Sequence, residues 1–160
     1  MKINFKKLSN TAITPKKANY NDAGFDLYAD EDVTLAYGET KAIQTNIALE
    51  LPDGYMADVR PRSGLTRDTA LRVHYGTVDA GYRGGIGIIC ENGSKVRMDG
   101  RWHNGIECME YELYSKTVNI KRGDKIAQLV IQRIPEIELI EADELTDSDR
   151  GANGFGSTGV

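Results

Sequence analysis

The residues best suited to chemistry lie in one short stretch, Gly76-Thr77-Val78-Asp79-Ala80-Gly81-Tyr82-Arg83-Gly84. It holds a carboxylate, an aromatic ring and a guanidinium in a run punctuated by glycines. Hydrophobic residues enter it (Leu71, Val73, Tyr75, Val78) and leave it (Ile86, Ile88, Ile89), a pattern that predicts two strands joined as a β-hairpin. Glycines let another molecule approach the backbone closely. A ligand lying along this backbone would be flanked by Asp79 and Tyr82. A decorated surface hairpin accounts for the same residues equally well.

Four other pieces carry residues that a plain β scaffold does not need. Asp26 stands alone among apolar residues in Ala23-Gly24-Phe25-Asp26-Leu27. Such an acid must be paired, hydrogen-bonded or beside a metal. Pro61-Arg62-Ser63-Gly64 sets a guanidinium, a hydroxyl and a backbone N–H side by side. With a short helix over Thr66 to Leu71, these residues fall at or just before a helix N-terminus, a natural anion site. An ordinary N-cap made by Ser63 is the alternative. Gly123-Asp124-Lys125-Ile126-Ala127-Gln128-Leu129 reads as a turn and a core strand, except that the Gln128 amide needs a partner. Arg150-Gly151-Ala152-Asn153-Gly154-Phe155-Gly156-Ser157-Thr158-Gly159 has no core-forming pattern. It is either a disordered end or a flap that orders over a phosphate-bearing ligand, with Phe155 stacked on a ring.

The elements that must position these residues are strands. Period-2 alternation marks runs at Ile3 and Phe5, Val33 and Leu35, Ala42 to Leu51, Tyr55 to Arg60, Val118 and Ile120, Lys125 to Ile131, and a last one at Ile137 to Ile140. Many short strands and almost no helical period predict an all-β chain, a jelly-roll-like distorted β-barrel with at most one short helix. At 160 residues the chain is long enough to bury a real core in one domain. Residues 1–149 are read as that barrel, 91–114 as an extra segment within it, and 150–160 as a flexible glycine-rich arm.

Composition narrows the function. A net charge of −4 argues against a nucleic-acid surface. Cys90 and Cys108 are too few for a disulfide framework. The N-terminus lacks the apolar stretch of a signal peptide, and no run is long enough to span a membrane. A soluble, cytoplasmic protein is the expectation.

Taken in order, the five pieces resemble the motifs of the trimeric dUTP pyrophosphatase (dUTPase) family. The resemblance spans about residue 20 to the C-terminus. It points to a phage-type or Gram-positive-like member with an extra segment between the third and fourth motifs. It implies hydrolysis of dUTP to dUMP and pyrophosphate with Mg²⁺, which lowers dUTP and supplies dUMP for thymidylate synthesis. It also implies a homotrimer with sites at subunit interfaces. Asp79 would be the general base. Arg62, Ser63, Gly64 and Gln128 would hold the phosphates. The backbone around Thr77, Val78 and Gly87 would read uracil, and Tyr82 would pack on the sugar. Arg150, Phe155, Gly156, Ser157 and Thr158 would come from the arm, and Asp26 would hold a water of the magnesium ion.

The sequence departs from the family pattern in three places. Gly81 stands where many members have a second Asp. Val73-His74-Tyr75 replaces a segment that often carries an asparagine near uracil. The stretch Glu91 to Tyr114 is longer than in the shortest members, which leaves room for a protein partner. Two alternatives accompany the main reading. One is a dCTP deaminase-like enzyme of the same fold. The other is a nucleotide-gated regulatory protein binding through the extra segment, with its Met98, Trp102, Met109 and Tyr111.

Overall fold

Short runs of alternating side chains bury one face and leave the other in water, the requirement of antiparallel strands. The structure, a computed structural model, describes residues 1–93, 99–103, 106–110 and 117–152. In chain order the elements are β1 (Asn4–Lys7), β2 (Phe25–Tyr28), β3 (Val33–Leu35), β4 (Thr40–Gln44), β5 (Ile47–Glu50), β6 (Tyr55–Arg60), α1 (Ser63–Asp68), β7 (Leu71–Val73), β8 (Gly76–Val78), β9 (Gly87–Asn92), β10 (Asp99–His103), β11 (Ile106–Glu110), β12 (Val118–Ile120) and β13 (Lys125–Arg133). They form a four-stranded sheet β2-β13-β6-β8, a three-stranded sheet β4-β9-β7, and the pairs β1-β5, β3-β12 and β10-β11. Among the described residues, β10 and β11 are the only paired strands adjacent in the chain. All other pairings cross between distant segments. This is an all-β, distorted jelly-roll arrangement whose sheets, among the described residues, do not close into a continuous barrel.

The core lies between these sheets. Leu27, Leu35, Ile43 and Ile88 are wholly buried, and each contributes on the order of 1.5–3 kcal/mol through lost apolar exposure. Cys90 is in the same core, and burial pushes its thiol up to about 12, so it is not a nucleophile.

Four expectations are corrected. The run Ala42 to Leu51 is two strands in different sheets. At the corner between them Thr45 donates its hydroxyl to the Ile86 carbonyl at 2.7 Å, and Asn46 takes a positive φ of 50°. The expected hairpin is also divided. Its entering run splits into β7, which pairs with β9, and β8, which pairs with β6 instead. The helix spans Ser63–Asp68 rather than Thr66 to Leu71. Thr69 stops it by turning its N–H and hydroxyl onto the Leu65 carbonyl at 3.1 and 2.7 Å. Arg62, not Ser63, occupies the cap position, without a side-chain cap hydrogen bond. Finally, Ile137 to Ile140 is not a strand. β13 ends at Arg133, Pro135 follows shortly after, and Ile137, Leu139 and Ile140 are 70, 94 and 81 % exposed.

The corner at Asn46 is pinned by Asp30, which is 5 % exposed. Its carboxylate accepts from Ser9 Oγ and from Asn46 Nδ2, the latter at 2.7 Å, and Arg122 Nε lies 3.9 Å away. Burial by itself raises the Asp30 carboxyl. Hydrogen bonds from Ser9, Asn46 and Thr11, with the Arg122 charge, outweigh it and hold the group below its ordinary value of 3.8. Asp30→Ala is expected to cost about 2–3 kcal/mol by stranding these donors, read as a lower urea midpoint at fixed protein concentration. A folded value below the unfolded one means the ionised group stabilises the protein above pH 3.8, and that this benefit fades as pH falls further toward the folded value. The gap between wild type and variant should close there. A gap that is constant from pH 7 to pH 3 would refute this role.

Candidate active site

β13 pairs on both edges, so its register decides which side chains meet. Gln128 lies opposite Asp26 of β2 and opposite Arg60 of β6. The chain continues from Arg60 into Pro61, whose carbonyl accepts from Gln128 Nε2 at 3.0 Å. That is the partner the half-buried amide needs, and it fixes the start of the Arg62-Ser63-Gly64 turn. Gly24 makes room for it, since a Cβ there would lie 2.7 Å from Gln128 Oε1.

A regular strand would point Lys125 and Gln128 to opposite faces, because they are three residues apart. The pairing shifts between Lys125 and Ala127, a bulge that adds one residue on β13. Ile126 and Ala127 are then both buried, and Lys125 comes round to the face of Gln128. Asp26 meets both cations there. Its Oδ2 is 2.8 Å from Lys125 Nζ and its Oδ1 is 3.1 Å from Arg62 Nε. Arg62 also donates through Nη1 to the Lys125 carbonyl at 3.1 Å. These side chains, with Asp22, Gly24, Ser63 and Gly64, line a cavity of about 530 Å³. Ser63 and Gly64 open the six-residue helix and are exposed. An anion entering this cavity would meet the two cations, and the helix is too short for its dipole to add much.

The second cavity follows from the divided hairpin. With β8 bound to β6 and β9 bound to β7, a gap opens between β8 and β9. It measures about 210 Å³ and is lined by Gly76, Thr77, Val78, Asp79, Tyr82, Gly85, Ile86 and Gly87, with Val59 behind. Asp79 is exposed at its mouth, and its carbonyl closes a turn by accepting from the Tyr82 N–H at 3.1 Å. The Tyr82 hydroxyl donates to the Gly85 carbonyl at 3.0 Å, which lays the ring across the bend. A Cβ at Gly84 would lie 2.6 Å from Tyr82 Cζ, so glycine is what admits the ring.

Thus Arg62, Ser63, Gly64, Gln128 and Asp26 come together, and Thr77, Val78, Asp79, Tyr82 and Gly87 come together. The two groups line different cavities that share no residue. Arg150 is exposed beside a turn closed by Gly151 N–H donating to the Ser148 carbonyl at 3.0 Å. Phe155, Gly156, Ser157 and Thr158 lie outside the described residues, as do Met98 and Tyr111. Trp102 and Met109 stand on the paired strands β10 and β11.

The dUTPase family matches residues 10–100 and 97–159. The chain belongs to that family. A deoxyuridine 5'-triphosphate nucleotidohydrolase of Thermobifida fusca is 43 % identical over 161 residues, which is 99 % of this chain and 79 % of the relative. The dUTPase of Staphylococcus bacteriophage 80alpha, solved with dUPNHPP, is 34 % identical with a TM-score of 0.83, and the match covers 99 % of each chain. Such phage dUTPases control transfer of virulence genes by a proto-oncogenic G protein-like mechanism. A mutant dUTPase from phage phi11 of S. aureus, solved with a structural Mg(II) ion, is 32 % identical with a TM-score of 0.75 over 90 % of this chain and 98 % of its own.

A magnesium ion has few protein ligands to draw on here. Among the described residues no group of three His, Cys, Asp or Glu side chains converges, and both Asp26 oxygens face cations. The residues do not form a metal cage. Asp26 is a paired carboxylate in this arrangement. Sequence reasoning passed over Lys125, although two successive core residues after it, Ile126 and Ala127, break the alternation and signal the bulge.

Gly24→Ala should force the Gln128 amide off the Pro61 carbonyl, with a stability loss of about 1 kcal/mol for the hydrogen bond. The measurements are the melting temperature and the Gln128 side-chain amide resonance. A variant with both unchanged would show that the amide has another place to go.

Proposed function

We propose that this protein hydrolyses dUTP to dUMP and pyrophosphate, with uracil in the gap between β8 and β9 and the phosphates in a cavity walled by Arg62, Ser63, Gly64 and Gln128. The observation that carries this reading is the gap itself, a slot edged by backbone with Asp79 and Tyr82 at its mouth. Backbone groups around Thr77, Val78 and Gly87 match the edge of uracil. Cytosine presents a donor where uracil presents an acceptor, which would leave a buried group unpaired. The Tyr82 ring occupies the place where a 2′-hydroxyl would project, and so rejects UTP.

In the reaction, water attacks the α-phosphorus and pyrophosphate leaves. Asp79 takes the proton of that water. Arg62, Ser63, Gly64 and Gln128 hold the phosphates in line, since positioning and charge stabilisation dominate phosphoryl transfer. Mg²⁺ carried in with the triphosphate would supply charge neutralisation at the leaving group.

The site is proposed to be completed between subunits of a homotrimer. Two features support this. The uracil slot and the phosphate cavity share no lining residue within one chain. The apolar segment around Ile137, Leu139, Ile140 and Leu145 is 70 to 94 % exposed, a surface that calls for a partner. From that segment the arm, residues 150–160, closes over a neighbour's site, with Phe155 on uracil and Arg150, Gly156, Ser157 and Thr158 on the phosphates. The enzyme acts in the cytoplasm. Among the described residues no helix is long and apolar enough to cross a membrane.

A second role is favoured by one feature. The extra segment carries its own hairpin, β10 with β11, paired to no other strand among the described residues. It is proposed as a surface for a protein partner. The family match favours the hydrolase over the deaminase alternative.

Pyrophosphate release from dUTP, dCTP and UTP, measured in parallel, tests the activity. Release from dUTP alone is expected, and Asp79→Asn should keep binding of a non-hydrolysable analogue while losing on the order of 10²-fold or more in turnover. Near-normal turnover would remove Asp79 from the role of base. Truncation after Asp149 should leave a folded oligomer with little activity. Full kcat in the truncated protein would refute the closing arm.

A further inference from the structure

The larger cavity is lined by two cations, and the proposed mechanism uses only Arg62. The other is Lys125, whose ammonium sits 2.8 Å from Asp26 and whose side chain is 45 % exposed. We propose that Lys125 is a second phosphate-contacting residue, presented to the triphosphate by the bulge in β13. The proposal rests on the dUTP reading of this cavity.

Charge balance is the first argument. The cavity wall carries Asp22 and Asp26 against Arg62 and Lys125, two carboxylates against two cations. Without Lys125 the wall is net negative, and a triphosphate would be repelled by the cavity that is meant to hold it. Placement is the second. The bulge between Lys125 and Ala127 has a cost in pairing, and its result is to bring Lys125 to the same face as Gln128. Restraint is the third. Arg62 Nη1 holds the Lys125 carbonyl at 3.1 Å, the Tyr28 ring lies 5.9 Å from the ammonium, and Asp26 anchors its tip. A flexible side chain so held loses less freedom on meeting a phosphate than an unrestrained surface lysine. The hydrogen bond that Lys125 donates to Asp26, and then the Asp26 charge, raise Lys125 above the ordinary lysine range, so it is cationic throughout the working pH range. An incoming phosphate would share the ammonium with Asp26, for lysine has three donors.

The test is calorimetric titration of wild type, Lys125→Met and Lys125→Arg with three probes: a non-hydrolysable dUTP analogue, inorganic tripolyphosphate and deoxyuridine. Lys125→Met should weaken the analogue and tripolyphosphate by on the order of 10- to 100-fold, the range of a charge-assisted hydrogen bond. Deoxyuridine, which has no phosphate, should bind as before. Lys125→Arg should restore most of the loss. With dUTP the defect should fall on KM rather than kcat. If Lys125→Met unfolds, Lys125→Gln removes the charge and keeps a donor toward Asp26, and the same pattern is expected. Unchanged binding of tripolyphosphate and analogue overturns the proposal, as does an equal loss for deoxyuridine. If wild type fails to cleave dUTP but binds tripolyphosphate through Lys125, the substrate reading falls and the phosphate contact stands.

Discussion

The register of β13 is the constraint on which the larger cavity depends. This strand is paired on both edges, so it cannot slide without breaking two ladders at once. A slip by one residue would turn Gln128 away from Pro61 and set an apolar neighbour against Asp26. The bulge acts together with that constraint. It lets one strand supply two successive core residues, Ile126 and Ala127, and still point both Lys125 and Gln128 outward on one face. Asp26 then collects Arg62 from the turn after β6 and Lys125 from the start of β13. The ion pairs themselves are partly exposed and contribute little to stability. Their effect is geometric. They hold two cations side by side where an anion can enter.

The gap between β8 and β9 depends on the opposite condition, a pairing that does not form. β8 and β9 would make the expected hairpin if they bonded to each other. Each has a better partner elsewhere, β6 for one and β7 with β4 for the other. His74 N–H still reaches the Ile89 carbonyl at 2.9 Å, so the separation begins just after it. Backbone groups beyond that point face a gap instead of a neighbouring strand. A planar ring with donors and acceptors along its edge can take the place of the missing strand. It is on this ground that the gap is proposed to hold uracil.

Much of this was legible in the sequence because local chemistry decided it. Tyr55 to Arg60 alternates and is bounded by Gly54 and Pro61, and β6 occupies that span. The solitary Asp26 and the solitary Gln128 each called for a partner, and each has one. What was not legible is set by distant segments. Ile43, Thr45, Ile47 and Leu49 all stay on the buried side across the corner at Asn46, so the alternation never loses phase where the chain changes sheets. The division of β7 from β8 is equally silent, because a pattern of apolar residues states which face is buried and not which strand lies alongside. The helix limits escaped for a smaller reason. Thr69 ends the helix through its own hydroxyl, and a threonine reads the same in a helix, a turn or a strand.

Ile137 to Ile140 shows the remaining limit, one that no reading of a single chain removes. Its side chains are those of a strand, and the expectation of a strand followed from them. Yet an isolated strand is not a stable object, because its backbone groups and its apolar face both need a neighbour. After Pro135 the chain has left its own sheets, and Leu139 at 94 % exposure has no core to enter. Such a segment is stable in water only at the cost of its apolar surface, roughly 25 cal/mol for each Å² left uncovered. The proposed trimer resolves this and the separation of the two cavities by one device. In that proposed trimer, a segment leaving its own subunit to find a sheet would carry the arm with it, to a site whose other walls belong to different chains.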